Sequence, residues 1–179
     1  MAEKYWNKCR LIEVRSNIHC PGFEEWLFVE TKDGLKFEIF ASGCRKFSKS
    51  QYQKFDFGQF KPETYWDIKI SGHLYCVGAN NLRNPNNGAR EGAELTKKCS
   101  PGRYLVNNVN TRKLCDVTRL FVLGEVIKKS PPDYEGERGR LMKAKNLHVY
   151  FIDNDNETEE GDTVLLSIYG ITDIRPGNP

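Results

Sequence analysis

Apolar and polar side chains alternate with period two in Glu25-Trp26-Leu27-Phe28-Val29-Glu30-Thr31 and again in Leu35-Lys36-Phe37-Glu38-Ile39-Phe40, which predicts two strands. Asp33-Gly34 lies between them, where a tight hairpin wants residues that tolerate positive φ. Downstream, Ser48-Lys49-Ser50-Gln51-Tyr52-Gln53-Lys54-Phe55 is polar-capped and predicts a short helix of about two turns. Alternation returns over Tyr65-Trp66-Asp67-Ile68-Lys69-Ile70-Ser71-Gly72-His73-Leu74-Tyr75, a longer strand. Upstream, Lys8 to Arg15 predicts a first strand, joined to the hairpin by a loop from Ser16 to Phe23 that contains Pro21-Gly22.

The same periodicity assigns faces. Leu27, Val29, Leu35, Phe37 and Ile39 are expected to point into a core, which turns Trp26, Phe28 and Glu30, and Lys36, Glu38 and Phe40, to the opposite side. A bulge would exchange the roles of Phe28 and Phe37, since one extra residue swaps the faces. On the longer strand, Trp66, Ile68, Ile70 and Leu74 share one face, while Tyr65, Lys69, His73 and Tyr75 share the other.

Periodicity disappears between Val77 and Leu114, where Asn80, Asn81, Asn86 and Asn87 supply turn chemistry and a short strand is expected only from Arg103 to Val106. Arg119 to Ile127 is apolar enough to close a barrel as its fifth strand, with Gly124 as a bend or bulge position. Beyond a basic loop from Lys128 to Lys145, two further strands, Leu147 to Ile152 and Thr163 to Gly170, flank an acidic turn from Asp153 to Asp162. Phe121 to Tyr169 thereby repeats the order of elements seen from Leu11 to Phe40. Either this extra hairpin extends the first barrel or the second half shares strands with it. The expected fold is all-β: a five-stranded barrel with a short helix over residues 1–117, and a closing strand with an extra hairpin or partial second unit over 118–179.

Charge is unevenly spread. Residues 1–81 carry 12 basic and 10 acidic side chains, 82–145 carry 14 and 7, and 146–179 carry 1 and 7, so the middle of the chain is basic and its end acidic. A basic segment suits a polyanion, and an outer face of rings and cations suits a single-stranded nucleic acid, whose bases stack on rings while Lys and Arg neutralise phosphates. The candidate rings are Trp26, Phe28, Phe40, Tyr65 and Tyr75, with His73 beside them. The candidate cations are Lys36, Arg45, Lys46 and Lys69, joined by Arg83, Arg90, Lys97 and Lys98 of the long loop and by Arg138 and Arg140 of the second basic loop. The competing use of such rings is burial under a loop or against another protein.

Other chemistries find no support in the residue pattern. Cys9, Cys20, Cys44, Cys76, Cys99 and Cys115 are widely spaced, so reduced thiols are expected and no metal or cofactor is implied; His19-Cys20 reads as a loop coincidence. Asp153, Asp155 and Glu157 alternate as calcium ligands can, but the glycine and terminal glutamate of a full loop are missing. No nucleophile elbow, phosphate-binding loop or zinc-protease motif occurs, which favours a non-enzymatic protein. Met1-Ala2-Glu3-Lys4 leads straight into mixed sequence, and no apolar run approaches the roughly 18 residues that span a bilayer. An intracellular protein, cytoplasmic or nuclear and without a membrane partner, is expected.

From Cys9 to Cys76, the order strand, strand, Asp33-Gly34 turn, Ser48–Phe55 helix and Tyr65–Tyr75 strand resembles the oligonucleotide/oligosaccharide-binding (OB) fold of single-stranded DNA-binding proteins, including those of replication and telomere maintenance. Gly124-Glu125-Val126-Ile127 through Tyr169-Gly170 looks like the opening half of another such fold. The resemblance implies a groove across the second and third strands, with stacking rings at Trp26, Phe28 or Phe40 and cations at Lys36 and Lys69. Single-stranded DNA, ahead of RNA, is the partner it implies; a protein partner, or a second copy of the chain, is the alternative for an adaptor, inhibitor or structural subunit.

Overall fold

The computed structural model describes residues 5–16, 24–42, 46–48, 51–52, 61–77, 81–82, 104–110, 116–134 and 136–179. The expected first hairpin joins β2 (Glu24–Thr31) to β3 (Lys36–Ser42). Its loop shows why Gly34 is needed. The Gly34 N–H donates to the Thr31 carbonyl at 3.0 Å, Gly34 takes φ +84°, and the Thr31 N–H closes on the Leu35 carbonyl at 2.9 Å. A turn that ends in a left-handed residue and a bulge is a favoured three-residue hairpin connection, and a Cβ is strained at that last position.

Ahead of this hairpin lies β1 (Asn7–Ser16), and beyond it come β4 (Lys46–Ser48), β5 (Gln51–Tyr52), β6 (Tyr65–Val77), β7 (Asn81–Leu82) and β8 (Tyr104–Asn110). The rest of the chain supplies β9 (Asp116–Lys129), β10 (Gly139–Ala144), β11 (Leu147–Ile152) and β12 (Thr163–Pro176), with a 3-10 turn at Gly136–Arg138. The fold is all-β, and among the described residues no α-helix occurs.

The expected helix over Ser48 to Phe55 is therefore corrected. Ser48, Gln51 and Tyr52 lie in β4 and β5, which pair antiparallel with Ser48 opposite Gln51 and Lys46 opposite Tyr52. An isolated helix of two turns is marginal in water, and Ser-Lys-Ser-Gln brings no apolar stripe to anchor one.

The two halves repeat one plan. β1, β2 and β3 form an antiparallel meander followed by the 13-residue strand β6; β9, β10 and β11 form another, followed by the 14-residue β12. Within each half the first strand pairs antiparallel with that half's own long strand, β1 with β6 and β9 with β12. The third strand of each meander lies parallel to the long strand of the other half, β3 to β12 and β11 to β6. The long strands pair with each other. The pairings thus run between the two halves of the chain. The expected closing strand, Arg119 to Ile127, belongs instead to β9, while β12 occupies the place between β3 and β6. Three register shifts along β12, at Leu165/Leu166, Ile168/Gly170 and Ile171/Asp173, let so long a strand bend between its partners.

The face assignments hold. Leu27, Val29, Phe37, Ile39, Ile68 and Ile70 are buried, and Leu35, Trp66 and Leu74 pack against them. They share a single core with Val122, Val126, Met142, Val149, Phe151, Val164, Leu166 and Ile171 of the second half. Asn7 ties the halves together by a polar route. Its buried amide donates to the carbonyls of Ile68 (3.2 Å) and His148 (2.8 Å), and its oxygen accepts from the His148 N–H at 2.8 Å.

Gly124 is a close-approach position. A Cβ there would stand 2.5 Å from the Lys143 carbonyl oxygen and 2.2 Å from the Met142 sulfur. We expect Gly124→Ala to lower stability by about 1 to 3 kcal/mol, because backbone and not only a flexible side chain blocks the added methyl. Thermal melts that place the variant within about 0.5 kcal/mol of the parent, the usual range for surface changes, would disprove the crowding.

Candidate ligand-binding face

On the side of β2 and β3 turned away from the core, the rings form an unbroken row. Trp26 and Phe40 stand opposite each other in the ladder with ring centroids 5.1 Å apart. Phe40 lies 6.1 Å from Tyr169 of β12, and Tyr169 lies 4.6 Å from His73 of β6, so the row crosses four adjacent strands. All three contacts are tilted, the arrangement that ring quadrupoles favour. Tyr169 is 46% exposed, His73 is exposed, and Trp26 and Phe40 are half-buried.

Tyr169 was not legible as a site residue. It falls in the register shift between Ile168 and Gly170, where Ile168 pairs with Gly72 and Gly170 with Ser71, which leaves Tyr169 as the unpaired extra residue. A bulge re-aims a side chain without any mark in the hydrophobic pattern. The one available signal was a large ring beside a glycine at the end of an apolar strand.

The remaining candidates divide three ways. Phe28 is half-buried opposite Glu38, Lys36 is exposed opposite Glu30, and Tyr65 is 36% exposed at the start of β6. Arg138 is exposed beside an open depression of about 610 Å³ lined by Glu137, Ile152, Asn154, Asp155 and Asn156. Lys46 and Tyr75 lie in β4 and β6, and only their backbone is described. Arg45, Arg83, Arg90, Lys97 and Lys98 lie outside the described residues, as does His19-Cys20.

Two expected cations are not on an open face, and these expectations are corrected. Lys69 is 7% exposed, and its ammonium donates to the Asp133 carboxylate at 2.8 Å. Arg140 is fully buried. Its guanidinium donates to Thr158 Oγ1 (3.0 Å), to the carbonyls of Thr158, Glu137 and Gly139, and to Asn156 Oδ1 (2.5 Å). Desolvating a cation is costly unless it is paired or hydrogen-bonded, and both meet that condition. Strand alternation could name their side of the sheet but could not show that another segment lies over it.

Arg140 explains the acidic turn as well. Asp153, itself buried, accepts from the N–H groups of Glu157 (2.9 Å) and Thr158 (2.7 Å) and from the Thr158 hydroxyl (2.7 Å), so its carboxylate shapes the turn that Arg140 braces. Among the described residues, no group of three or more His, Cys, Asp and Glu side chains could hold a metal ion. Cys9 is buried, and burial, aided by the charges of Asp67 and Asp33, pushes its thiol up to about 12, too high for a nucleophile at neutral pH.

The electrostatics of the ring face are mixed. Arg10 bonds Glu30 at 2.5 Å and Glu63 at 2.6 Å, and hydrogen bonding to Arg10 holds the Glu30 carboxyl below its ordinary range. Around Lys69 a second polar group gathers. Tyr150 donates its hydroxyl to the same Asp133 oxygen at 2.7 Å, Lys69 stands 4.8 Å from the Trp6 ring centre, and the Arg175 guanidinium stands 4.4 Å from it.

No protein-family model, curated protein or solved structure matches the chain. Among the described residues, no helix is long and apolar enough to cross a membrane.

Asp133 gives a pH test. Burial pushes its carboxyl up, but the bonds from Lys69 and Tyr150 and the charge of Lys69 outweigh burial and leave it below the ordinary value of about 3.9. A depressed carboxyl stabilises the fold above its unfolded value, and that contribution is lost as pH falls through the folded one. Asp133→Asn is expected to cost about 1 to 3 kcal/mol at pH ~7, or about 2 to 4 °C in Tm per kcal/mol for a chain of this size. The gap should narrow in acid, as pH falls below the ordinary carboxyl value and through the lower folded one. Parallel melting curves at neutral and acid pH, with a gap that does not narrow in acid, would show that the pair is not what Asp133 contributes.

Proposed function

We propose that this protein is a non-enzymatic binder of single-stranded nucleic acid, DNA ahead of RNA, which stacks bases on Trp26, Phe40, Tyr169 and His73. One observation carries the reading: four rings at contact distance form a row across β2, β3, β12 and β6 on the side of the sheet away from the core. A base offers a π-face to any exposed ring, and a stacked base is held by about 1 to 3 kcal/mol, whatever its identity. A folded strand has little need of four large rings on its outer side, since burial on the inner side already supplies the core.

The pairings also fit the expected OB-type barrel, with one change. β1, β2, β3, β12 and β6 pair in a cycle, β1 returning to β6, and β3 lies parallel to β12. We read this cycle as the barrel, with β12 in the closing position. The ring row then crosses its second and third strands, where such barrels bind their ligands.

A second reading, a protein-interaction β-domain, draws on the charges. Glu30, Glu38 and Glu63 stand on or beside this face, and the described cation Arg10 is already engaged by two of them. A protein partner needs rings and few free cations, and its binding should respond little to salt.

Affinity measured against salt separates the two. Trp26→Ala, Phe40→Ala and Tyr169→Ala should each weaken binding of a labelled single-stranded oligonucleotide by about 1 to 3 kcal/mol and leave the salt slope unchanged. Lys36→Ala should flatten that slope by about one unit. Should the folded ring variants bind the oligonucleotide as tightly as the parent, the stacking reading is wrong and the protein-interaction reading replaces it.

A further inference from the structure

The ladder that carries Trp26 and Phe40 does not stop at β12. Phe40 pairs with Gly170, Gly170 with Ser71, Ser71 with Tyr150, and Tyr150 with Leu141, a single row from β2 to β10. Residues directly opposite in a ladder point to the same side of the sheet, so Tyr150 shares the outer side with Phe40. The two hold corresponding places. Each stands on the third strand of its own meander, and each is bridged in parallel to the long strand of the other half. The second half thus repeats the geometry of the ring row.

In the first half that face is open at Tyr169 and His73. In the second it is covered: the Tyr134 ring packs on Tyr150 at 5.0 Å, and a second ring and an anion meet the cations. The Trp6 indole lies beneath two cations, Lys69 at 4.8 Å and Arg175 at 4.4 Å. The Asp133 carboxylate accepts from the Lys69 ammonium at 2.8 Å and from the Tyr150 hydroxyl at 2.7 Å. An aromatic plane held by cations beside an anion held by an ammonium and a phenol is the pair of groups that one nucleotide presents.

We infer that this covered face is a second nucleotide-binding surface, kept shut by Trp6 in the place of a base and Asp133 in the place of a phosphate. The inference rests on the stacking function proposed for the first face. The exchange is chemically even. A phosphate oxygen replaces a carboxylate oxygen on the same two donors, Lys69 and Tyr150, and a base replaces the indole beneath Lys69 and Arg175, the latter still held by Asp67 at 3.1 Å. Trp6 and Asp133 come from short segments on either side of the sheet's own strands, so their withdrawal breaks no ladder pairing.

The test uses the full chain and a fluorescein-labelled oligothymidylate as probe, at low salt. Trp6→Ala/Asp133→Asn should raise the stoichiometry from about one to about two oligonucleotides per chain and steepen the salt slope by about one unit for Lys69, since Arg175 stays paired with Asp67. Asp133→Asn alone, which keeps the shape and removes the charge, should give part of that gain. A folded double variant with the parent's stoichiometry and slope overturns the inference and leaves the first face untouched. Conversely, a probe that binds the double variant but is indifferent to Trp26→Ala and Tyr169→Ala refutes the first face alone. Should the double variant melt early, Asp133→Asn alone carries the test: its stoichiometry or salt slope must exceed the parent's, and values equal to the parent's overturn the inference.

Discussion

The antiparallel pairing of β6 with β12 is the contact on which the rest of the molecule depends. Each is a long strand whose two edges are both in use: β6 carries β12 on one and β1 and β11 on the other, while β12 carries β6 on one and β3 and β9 on the other. The third strand of each meander finds its parallel partner only in the long strand of the other half. For β6 and β12 themselves, backbone groups that would template another chain are spent on neighbouring strands. At its centre, Gly170 and Ser71 face each other, and the Ser71 hydroxyl donates to the Gly170 carbonyl at 3.2 Å.

Close approach has a steric condition. At Gly72 a Cβ would meet the Ser167 carbonyl oxygen at 2.8 Å, so the absence of a side chain there is what lets the two strands remain in register beside the bulge at Tyr169. The bulge then turns a ring outward between Phe40 and His73. Packing of the shared pair and the continuity of the ring row are thus two consequences of the same local geometry.

Two buried cations, one from each half, are each met by oxygen acceptors. Arg140 is spent on carbonyls and side chains around Asp153, and Lys69 on Asp133. Burial holds the His148 imidazole, with Lys143 nearby, below its ordinary range, so it stays neutral at pH 7 between Tyr5 and the Asn7 clamp. The basic middle of the sequence therefore overstates the charge that the second half can offer to a polyanion. The two halves share a backbone plan and differ in what lies over their outer faces.

How far the residues alone reached can be judged element by element. Alternation along β2, β3 and β6 determined which side of each strand enters the core, because a period of two leaves no other choice once one face is apolar. Asp33-Gly34 determined the hairpin, since few residues accept the left-handed conformation found at Gly34. The repeated order of elements was legible too, though not that strands would pair between the halves. Tertiary structure decided what depends on distant segments. β12 and not Arg119 to Ile127 lies between β3 and β6, because pairing partners far apart in sequence are chosen by the fit of whole strands. Ser48, Gln51 and Tyr52 pair as strands because two isolated helical turns carry too little stability of their own. Lys69 and Arg140 became interior groups because Asp133 and the 153–158 turn arrived to meet them, and Tyr169 became a surface ring because a bulge leaves no trace in the pattern of hydrophobic positions.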